Sequence, residues 1–348
     1  MRDDVQTYYG ETLQKSEDLQ TNACCTAGAP PPHLREVMAK IHPDVSSRYY
    51  GCGLLAPEAL TGLKVLDLGC GAGQDVYVLS ALVGESGSVT GVDMTPQQLA
   101  VAQSQQQYHT DAFGYKKSNV RFIEGELEHL DQLDLEAGSF DLIVSNCVIN
   151  LCEDKHAVLK NAYNLLKRGG EMYFSDVYSN RRIPSHLQKD PVLFGECLSG
   201  AFYWNDFLNC AKSCGFLDPR LVEDAPIEIQ NAELEAKLEG YAFYSATYRL
   251  FKLDNLEPAC EDYGQAVIYQ GTIDNSANMF VLDKHHLMEA GKVFPVCGNT
   301  FRMLHDSRLA QHFQFIGNWD KHFGIFEGCG SDLPFDEGIH FGSSGSCC

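Results

Sequence analysis

Apolar segments of strand length alternate with segments of helix length between residues 63 and 177. The strand-like segments read LKVLDLG, SVTGVDM, NVRFIEG, SFDLIVSN and EMYFSDVY, and stretches such as QDVYVLSALVG lie between them. Strands separated by helices of about 10–15 residues are typical of a parallel sheet with helices on both faces. The pattern therefore predicts an α/β fold.

Capping residues and glycines give the ends of several predicted helices. Thr95, followed by Pro and by Gln three residues later, predicts a helix N-terminus with a capping box. Asp154 begins another helix, which we expect to run to the basic residues and glycines of KRGG. The segment WNDFLNCAKSCGF predicts a helix that ends at Gly215, and strands near 220–230 and 241–253 are expected to complete the sheet.

Changes in composition divide the chain into four parts. The N-terminal part is polar with a Pro-rich hinge, and beyond about residue 255 short aromatic segments are broken by Gly and Asn. The last residues, GSSGSCC, have the composition of a flexible tail. We predict an N-terminal arm (1–60), an α/β domain (61–255), a small α+β domain (256–342) and a cysteine-terminated tail (343–348).

The charge of the chain narrows the classes of partner. Asp and Glu number 47 against 26 Lys and Arg, and the formal net charge is −21. Nucleic acids and anionic lipids bind basic surfaces, so neither is an expected partner. The N-terminal segment lacks the apolar stretch of a signal peptide, and no run of about 18 apolar residues suggests a membrane span. We expect a soluble, cytoplasmic protein.

The chain contains fourteen cysteines. In a reducing compartment thiols stay free, and such a number then indicates soft-metal binding or redox chemistry. The alternative is that many of them are buried core residues, because free cysteine is among the most buried residue types. The adjacent pairs Cys24-Cys25 and Cys347-Cys348 lie in polar or small-residue stretches, so they do not fit that alternative.

The first strand-to-helix junction, VLDLGCGAGQD, predicts a ligand site. It holds Asp67, Gly69, Gly71 and Gly73, and glycines let a backbone approach a ligand closely. The G-x-G-x-G spacing is shorter than the dinucleotide fingerprint G-x-G-x-x-G, which favours a ligand without a pyrophosphate, although a dinucleotide-binding domain stays an alternative. Asp93 closes the next strand and can accept hydrogen bonds from ribose hydroxyls.

With these motifs the chain resembles the class I S-adenosylmethionine-dependent methyltransferases over about residues 40–250. The resemblance implies a Rossmann-like, mostly parallel sheet of seven strands, with the methionine moiety of the cofactor at the glycine loop. Asp93 is then expected to bind the ribose. The remaining predicted cofactor residues are Met94 beside the adenine, Gly125 and Glu126 bordering the ring, and Asn146 at the end of the fourth strand.

Four cysteines lie in segments that should face this site. Cys147 follows the strand SFDLIVSN, at the edge where a parallel sheet presents its ligand. Cys197 lies in LFGECLSGAFYW, Cys52 lies between glycines in RYYGCG, and Cys24 lies in TNACC. A packed thiol at the strand end is the alternative interpretation of Cys147.

The strings QTNACC, RYYGCGL, SNCVINL, FGECLSGAFYW and SATYRLFK resemble the arsenite S-adenosylmethionine methyltransferases. This resemblance implies that Cys147 and Cys197 form a central pair of arsenic ligands. Cys52 would be the third thiolate and Cys24 an auxiliary thiol, although Cys25 stays open as an alternative to Cys24. The segments GNTFRML and WDKHFGIFEGC extend the resemblance into the C-terminal part.

The implied activity is methylation of arsenite and methylarsenite in arsenic detoxification. The lone pair of thiolate-bound arsenic would attack the methyl group of S-adenosylmethionine, and thioredoxin or glutathione would restore the thiols. We expect a monomer. We also expect no structural metal, since the four thiols lack the CxxC spacing of a zinc site. A carbon or oxygen methyltransferase and a soft-metal-binding protein on the same fold are the alternatives, and the number of methyl groups stays open.

Overall fold

Strands and helices alternate along the chain as the hydrophobic pattern predicts. The computed structural model describes residues 30–49, 51, 53, 55–188, 190, 193, 197–229 and 231–329. The strands of the main sheet are β1 (Lys64–Leu68), β2 (Ser88–Asp93), β3 (Val120–Glu124), β4 (Phe140–Asn146), β5 (Leu166–Ser179), β6 (Phe202–Tyr203), β7 (Arg220–Pro226) and β8 (Phe243–Phe251).

Helices cover this sheet. The α-helices in the described part of the chain are α1 (Pro32–Met38), α2 (Pro43–Ser46), α3 (Gln74–Val83), α4 (Pro96–Ser104), α5 (Gln106–Phe113), α6 (Lys155–Leu165), α7 (Ser185–Gln188), α8 (Trp204–Cys214), α9 (Ala232–Lys237) and α10 (Gly298–His305). Short 3₁₀ helices span Leu127–Gln132, Ile149–Leu151 and Ala310–His312.

Seven strands follow one another across the main sheet in the order β3-β2-β1-β4-β5-β8-β7, and the two-residue β6 pairs with β5 as an eighth. The pairings among β1 to β5 are parallel, whereas β8 is antiparallel to both β5 and β7. The switch of strand order at β1 and β4 brings their carboxyl ends together, and in such sheets this is where ligands bind. The predicted fold class is confirmed.

The small α+β part has its own core. It contains β9 (Glu261–Asp262), β10 (Gln265–Tyr269), β11 (Met279–Asp283), β12 (His286–Glu289), β13 (Val293–Val296), β14 (Phe313–Ile316) and β15 (Gly324–Ile325), paired antiparallel in three small sheets. Its apolar core also takes in Phe251 and Leu253, so this core begins at the end of β8. The boundaries of the four predicted parts stay predictions.

Buried ion pairs join the two cores. Glu171 on β5 is 0% exposed and pairs with Arg249 at 3.4 Å and with Arg308 at 2.6 Å, and Arg249 also pairs with Glu58 at 2.9 Å. Burial alone would raise the pKa of Glu171, but the two guanidinium groups lower it below its usual range. Removing one partner of such a buried set leaves an uncompensated charge, so the contact fixes the C-terminal part against the sheet.

Two details of the predicted helices are wrong. The helix that begins after Asp154 ends at Leu165 and not at KRGG, because the chain pairs with β4 from Leu166 onward. Thr95 precedes α4 as predicted, but its side chain makes no capping hydrogen bond; its backbone N–H donates instead to Asp93.

Candidate functional site

A cavity of about 310 Å³ lies at the carboxyl ends of β1, β2 and β4. Eight of the nine residues predicted to bind the cofactor line it, namely Asp67, Gly69, Gly71, Asp93, Met94, Gly125, Glu126 and Asn146. The ninth, Gly73, is the N-cap of α3 at φ 90°. A Cβ there would lie 3.1 Å from side-chain atoms of Ala102 and Phe122, so Gly73 allows α3 to pack rather than facing the cavity.

The glycine loop turns sharply because its residues adopt left-handed backbone conformations. Gly69 has φ 77°, and a Cβ at this position would lie 2.5 Å from Val148. A residue with a side chain would therefore be strained and would also displace the turn that follows β4. This explains the glycine at the point where the loop passes the strand end that carries Cys147.

Asp93 fastens the end of β2 to the glycine loop. Its Oδ2 accepts a hydrogen bond from the backbone N–H of Gly71 at 2.8 Å, and its Oδ1 accepts from Thr95 N–H at 2.8 Å. Burial raises the pKa of Asp93, while these backbone donors act in the opposite direction. Asp93 also lines the cavity, where its carboxylate can accept a hydrogen bond from a ligand hydroxyl. The expected ribose contact stays a prediction that this geometry permits.

Asp67 is the most unusual carboxylate of the cavity. Its residue is 2% exposed, and its Oδ2 has no hydrogen-bond partner among the described residues. Burial, together with the nearby charges of Asp75 and Asp93, raises the pKa of Asp67 well above its usual range. A buried carboxylate without a partner is costly unless a cation or donor reaches it. These acidic side chains therefore fit S-adenosylmethionine, which carries an ammonium and a sulfonium cation.

A cluster that the sequence analysis did not predict connects the segment before β1 to the end of β4. Asn146 Nδ2 lies 2.7 Å from the hydroxyl of Tyr49, 2.8 Å from the carbonyl oxygen of Gly53 and 2.9 Å from Asp75 Oδ2. The backbone N–H of Gly53 donates to Asn146 Oδ1 at 3.3 Å. A Cβ on Gly51 would clash with both Asn146 and Tyr49. Residues 51 and 53 are thus held beside the strand end.

Asp75 adds a second buried carboxylate to the cavity wall. Burial raises its pKa to about 6, and the hydrogen bonds from Asn146 and Tyr49 oppose that rise. Its position directly after the motif GAGQ gave a signal in the sequence, because the first turn of the helix after a glycine loop borders the same ligand. With Asp67 and Asp93, it makes this cavity strongly acidic.

The predicted central cysteines come together at the edge of the sheet. Cys147 lines the cavity, and the thiol of Cys197, fifty positions later, donates a hydrogen bond to the carbonyl oxygen of Cys147 at 3.4 Å. Both residues are buried in an apolar cluster that includes Val177 and Leu198. Cys147 is disulfide-bonded, whereas the other eight described cysteines are free thiols.

Both of these cysteines have a strained backbone. Cys147 has φ 55° and Cys197 has φ 59°, and they are two of the four non-glycine residues with positive φ in the described part of the chain. Such a conformation costs roughly 1–3 kcal/mol and persists only where the surroundings enforce it. Strain of this kind is concentrated at functional sites, which distinguishes the pair from ordinary core thiols.

A buried carboxylate holds the turn that follows Cys147. Asp176 on β5 accepts hydrogen bonds from the backbone N–H of Asn150 at 3.1 Å and from its side-chain amide at 2.7 Å. Burial raises the pKa of Asp176 to about 7. The sequence analysis did not single out either residue, because their partnership depends on the neighbouring positions of β4 and β5.

The other predicted thiols belong to parts of the chain that the structure does not describe. Cys24, Cys25, Cys52 and the Cys347-Cys348 pair lie outside the described residues. Among the residues that are described, no group of three or more His, Cys, Asp and Glu side chains is arranged to hold a metal ion. No helix in the same part of the chain is long and apolar enough to cross a membrane.

Comparisons with known proteins agree with this geometry. Residues 60–215 match the family model of a methyltransferase domain, and residues 263–341 match that of the arsenite methyltransferase C-terminal domain. The chain is 60% identical over its full length to the arsenite methyltransferase of Aquipseudomonas alcaligenes, all of which is covered. The human arsenite methyltransferase is 47% identical over 89% of this chain and 82% of its own length.

A solved structure extends the agreement to three dimensions. The crystal structure of an arsenic(III) S-adenosylmethionine methyltransferase from Chlamydomonas reinhardtii has a TM-score of 0.83 and 50% sequence identity, covering 86% of this chain and 100% of that one. The resemblance stated from the sequence is confirmed. The chain belongs to the arsenite methyltransferase family of S-adenosylmethionine-dependent methyltransferases.

Proposed function

We propose that this chain methylates trivalent arsenic with S-adenosylmethionine as methyl donor, and that Cys147 and Cys197 hold the arsenic as thiolates. The contact between the Cys197 thiol and the carbonyl of Cys147, at 3.4 Å, is the observation that carries this proposal. Trivalent arsenic is a soft centre, which binds thiolate in preference to oxygen or imidazole. Because Cys147 also lines the acidic cavity, arsenic held there lies next to the methyl donor.

Residues of the acidic cavity would hold the donor. Asp67 and Asp75 offer buried carboxyl oxygens to its cations, and Asp93 offers oxygens to its ribose. When bound, S-adenosylmethionine supplies a methyl group on a sulfonium cation, which the lone pair of thiolate-bound arsenic can accept. No general base is required, because the arsenic nucleophile carries no proton. The contribution of the chain is orientation, which can lower a barrier by roughly 7–11 kcal/mol.

The residues around the pair supply that orientation. Asp176 and Asn150 fix the turn after Cys147, and the apolar cluster around Cys197 excludes water from the thiols. Because Cys147 is disulfide-bonded, arsenic binding requires prior reduction of this disulfide. The enzyme is therefore expected to respond to the thiol reductant that accompanies the substrate.

Cys52 is the proposed third thiolate. Support comes from its two neighbours, since Gly53 hydrogen-bonds to Asn146 and a side chain on Gly51 would clash with it. Asn146 directly precedes Cys147 in the sequence, so both neighbours of position 52 lie beside the strand end. Three thiolates would displace all three hydroxyl groups of arsenite and leave its lone pair facing the donor.

Transfer of the methyl group leaves arsenic formally pentavalent, so two electrons must be returned to it. We propose that a neighbouring thiol, Cys52, Cys24 or Cys25, forms a disulfide with one of the arsenic ligands and so restores trivalent arsenic. Thioredoxin or glutathione would then reduce the disulfide by thiol exchange. The protein is proposed to act as a monomer in the cytoplasm, where such reductants keep thiols reduced.

Incubation with arsenite, a thiol reductant and labelled S-adenosylmethionine, followed by arsenic speciation, tests this function. We expect labelled methylarsenicals from the unaltered chain and from Cys329→Ser, a half-exposed thiol outside the site. We expect none from the double variant Cys147→Ser/Cys197→Ser. Binding of the cofactor without any methylated arsenic, or methylation of organic acceptors by the double variant, would favour a carbon or oxygen methyltransferase.

A further inference from the structure

A second pair of cysteines meets in the C-terminal part, far from the cavity in sequence. Cys260 directly precedes β9, and Cys297 lies between β13 and α10. The two thiols lie near enough for each to be the largest influence on the pKa of the other. Cys260 is half-exposed and Cys297 is 1% exposed, so the two sulfurs form a pair with one side open to solvent.

A buried cation lies beside this pair. Arg220 Nη2 is 3.9 Å from Cys297 Sγ, and the hydroxyl of Thr300 is 3.4 Å from the same sulfur. The same guanidinium pairs with Asp218 at 2.7 Å and Asp283 at 3.1 Å. A thiol packed only for its volume needs none of these polar neighbours, because free cysteine behaves as a small apolar residue.

These contacts shift the pKa values of the two thiols in opposite directions. The hydrogen bond from Cys260 and the charge of Arg220 lower the pKa of Cys297, although burial acts against them. The pKa of Cys260 is raised, because its proton is shared with Cys297. These contacts therefore favour the thiolate form at Cys297 over that at Cys260, and the thiolate is the form that binds soft ligands.

The number of donors selects the class of ligand. No third His, Cys, Asp or Glu within the described residues joins the pair to make a metal site, and the guanidinium of Arg220 would repel a metal cation. A neutral trivalent arsenical with one carbon substituent has two exchangeable positions, which matches two sulfurs. Such a molecule is the first product of the proposed function, and the choice of ligand rests on that proposal.

We propose that Cys260 and Cys297 form a second dithiol site, which binds a monosubstituted trivalent arsenical through two arsenic–sulfur bonds. The half-exposed Cys260 gives access, and Cys297 closes the chelate. The Cys297 thiolate displaces one hydroxide from arsenic, and the Cys260 thiol displaces the second hydroxyl, which leaves as water with the thiol proton. No electrons are transferred, since arsenic is trivalent before and after binding.

Phenylarsine oxide is the probe for this site, with the full chain kept reduced by a phosphine. After gel filtration, the retained phenylarsine is counted, and alkylation of individual cysteines is mapped by mass spectrometry. We expect the probe to protect Cys260 in the unaltered chain. Cys260→Ser and Cys297→Ser should each lose one retained equivalent, and the double variant should also lose one and not two. Cys329→Ser, a half-exposed thiol in the same part of the chain, should lose none.

The mapping of the unaltered chain does not depend on whether the Cys297 variant folds. The dithiol site would be overturned if the probe did not protect Cys260 from alkylation in the unaltered chain. It would also be overturned if Cys260→Ser retained as many phenylarsine equivalents as the unaltered chain. Closure of the pair to a disulfide that excludes the probe even after phosphine treatment would overturn it as well. A Cys147→Ser/Cys197→Ser chain that still binds the probe at Cys260 separates this site from the catalytic one. Failure of arsenic methylation alone would therefore count against the proposed function and not against the thiol pair.

Discussion

Two pairs of cysteines in this molecule meet in different surroundings. The sheet-edge pair, Cys147 and Cys197, lies among apolar side chains, and both residues have a positive φ. The C-terminal pair, Cys260 and Cys297, has ordinary backbone conformations but lies beside the buried guanidinium of Arg220. The first pair is therefore defined by the backbone that aims it, and the second by the charge that stabilises a thiolate.

The comparison indicates that the orientation of arsenic and the affinity for arsenic can depend on different features of a cysteine pair. Methyl transfer depends on the direction of a lone pair, and rigid strained backbone at the end of a buried strand fixes direction well. Retention of an arsenical depends on thiolate character, which a neighbouring cation increases at any place in the fold. Substitutions that affect one property should therefore leave the other unchanged.

The largest effect is expected at the sheet-edge pair. Cys147→Ser and Cys197→Ser should each lower arsenic methylation at least about 100-fold, because a hydroxyl does not replace a thiolate as a soft ligand. Binding of S-adenosylmethionine, measured by calorimetry, should persist, and the melting temperature should change little. A folded and fully active Cys147→Ser chain would refute the thiolate mechanism, and Cys329→Ser is the matched control.

Cys52→Ser is expected to abolish the methylation of arsenite and to retain the methylation of a monomethyl arsenical. Arsenite has three exchangeable positions, which the proposed mechanism fills with three thiolates. A monomethyl substrate has only two, which the sheet-edge pair can fill. Arsenic speciation with each substrate in turn should show loss of the first methylation and retention of the second. Equal loss of both steps would assign Cys52 a structural role instead.

Asp93→Ala should separate the cofactor site from both thiol pairs. The substitution removes the acceptor that fastens the Gly71 and Thr95 backbone N–H groups, and with it the predicted ribose contact. One hydrogen bond to a charged group contributes about 1.5–3 kcal/mol, so cofactor affinity should fall roughly 10- to 100-fold. Retention of phenylarsine should stay the same, because Asp93 touches neither pair of sulfurs. If arsenical binding fell and cofactor binding did not, the assignment of the two sites would be reversed.

Cofactor affinity should fall as the pH is lowered through about 6. The folded-state pKa of Asp75 is raised to about 6, so its carboxylate attracts the cationic donor above that pH and is neutral below it. The pKa of Asp67 is also raised, by burial and by the nearby Asp75 and Asp93, so Asp67 acts in the same direction. One titrating group changes affinity by up to about tenfold per pH unit, and calorimetry at pH 5 to 8 measures this. A profile that is identical in Asp75→Asn would show that Asp75 does not contribute.

Deletion of residues 343–348 should have the smallest effect. The tail is Gly- and Ser-rich and its cysteines lie outside the described residues, so we expect unchanged melting and methylation at high arsenite. A hypothesis that Cys347 and Cys348 capture arsenic for the core predicts a slower rate only at low arsenite. An unchanged rate there would remove the reason for that hypothesis.

Local signals in the sequence gave most of the α/β domain. β1, β2 and β4 begin and end within one or two residues of the predicted strands, because buried parallel strands are continuous apolar runs bounded by glycines. The glycine loop and Asp93 were also predicted from the sequence. A G-x-G-x-G segment after one strand and an acidic residue at the end of the next can both be recognised from adjacent residues. The central cysteines came from the family resemblance and from the end of the strand SFDLIVSN.

Tertiary contacts overruled local signals where distant segments meet. The residues of KRGG join β5 instead of ending a helix, because Leu166 pairs with Phe140 on β4 and Gly169 packs against the carbonyl of Asp306. A basic and glycine-rich segment is compatible both with the end of a helix and with the start of a strand. Phe140 from an earlier strand and Asp306 from much later in the chain decide between them.

The sequence by itself determined the glycine loop and the succession of strands and helices along the chain, and through the family resemblance it indicated the cysteines to consider. The tertiary structure alone decided that Tyr49 and Asp75 share Asn146, that Asp176 holds the turn after Cys147, and that Arg220 faces Cys297. Hydrogen bonds and ion pairs act over a few ångströms whatever the separation along the chain. Spacing in a sequence therefore cannot reveal partners that only the packing of strands and domains brings together.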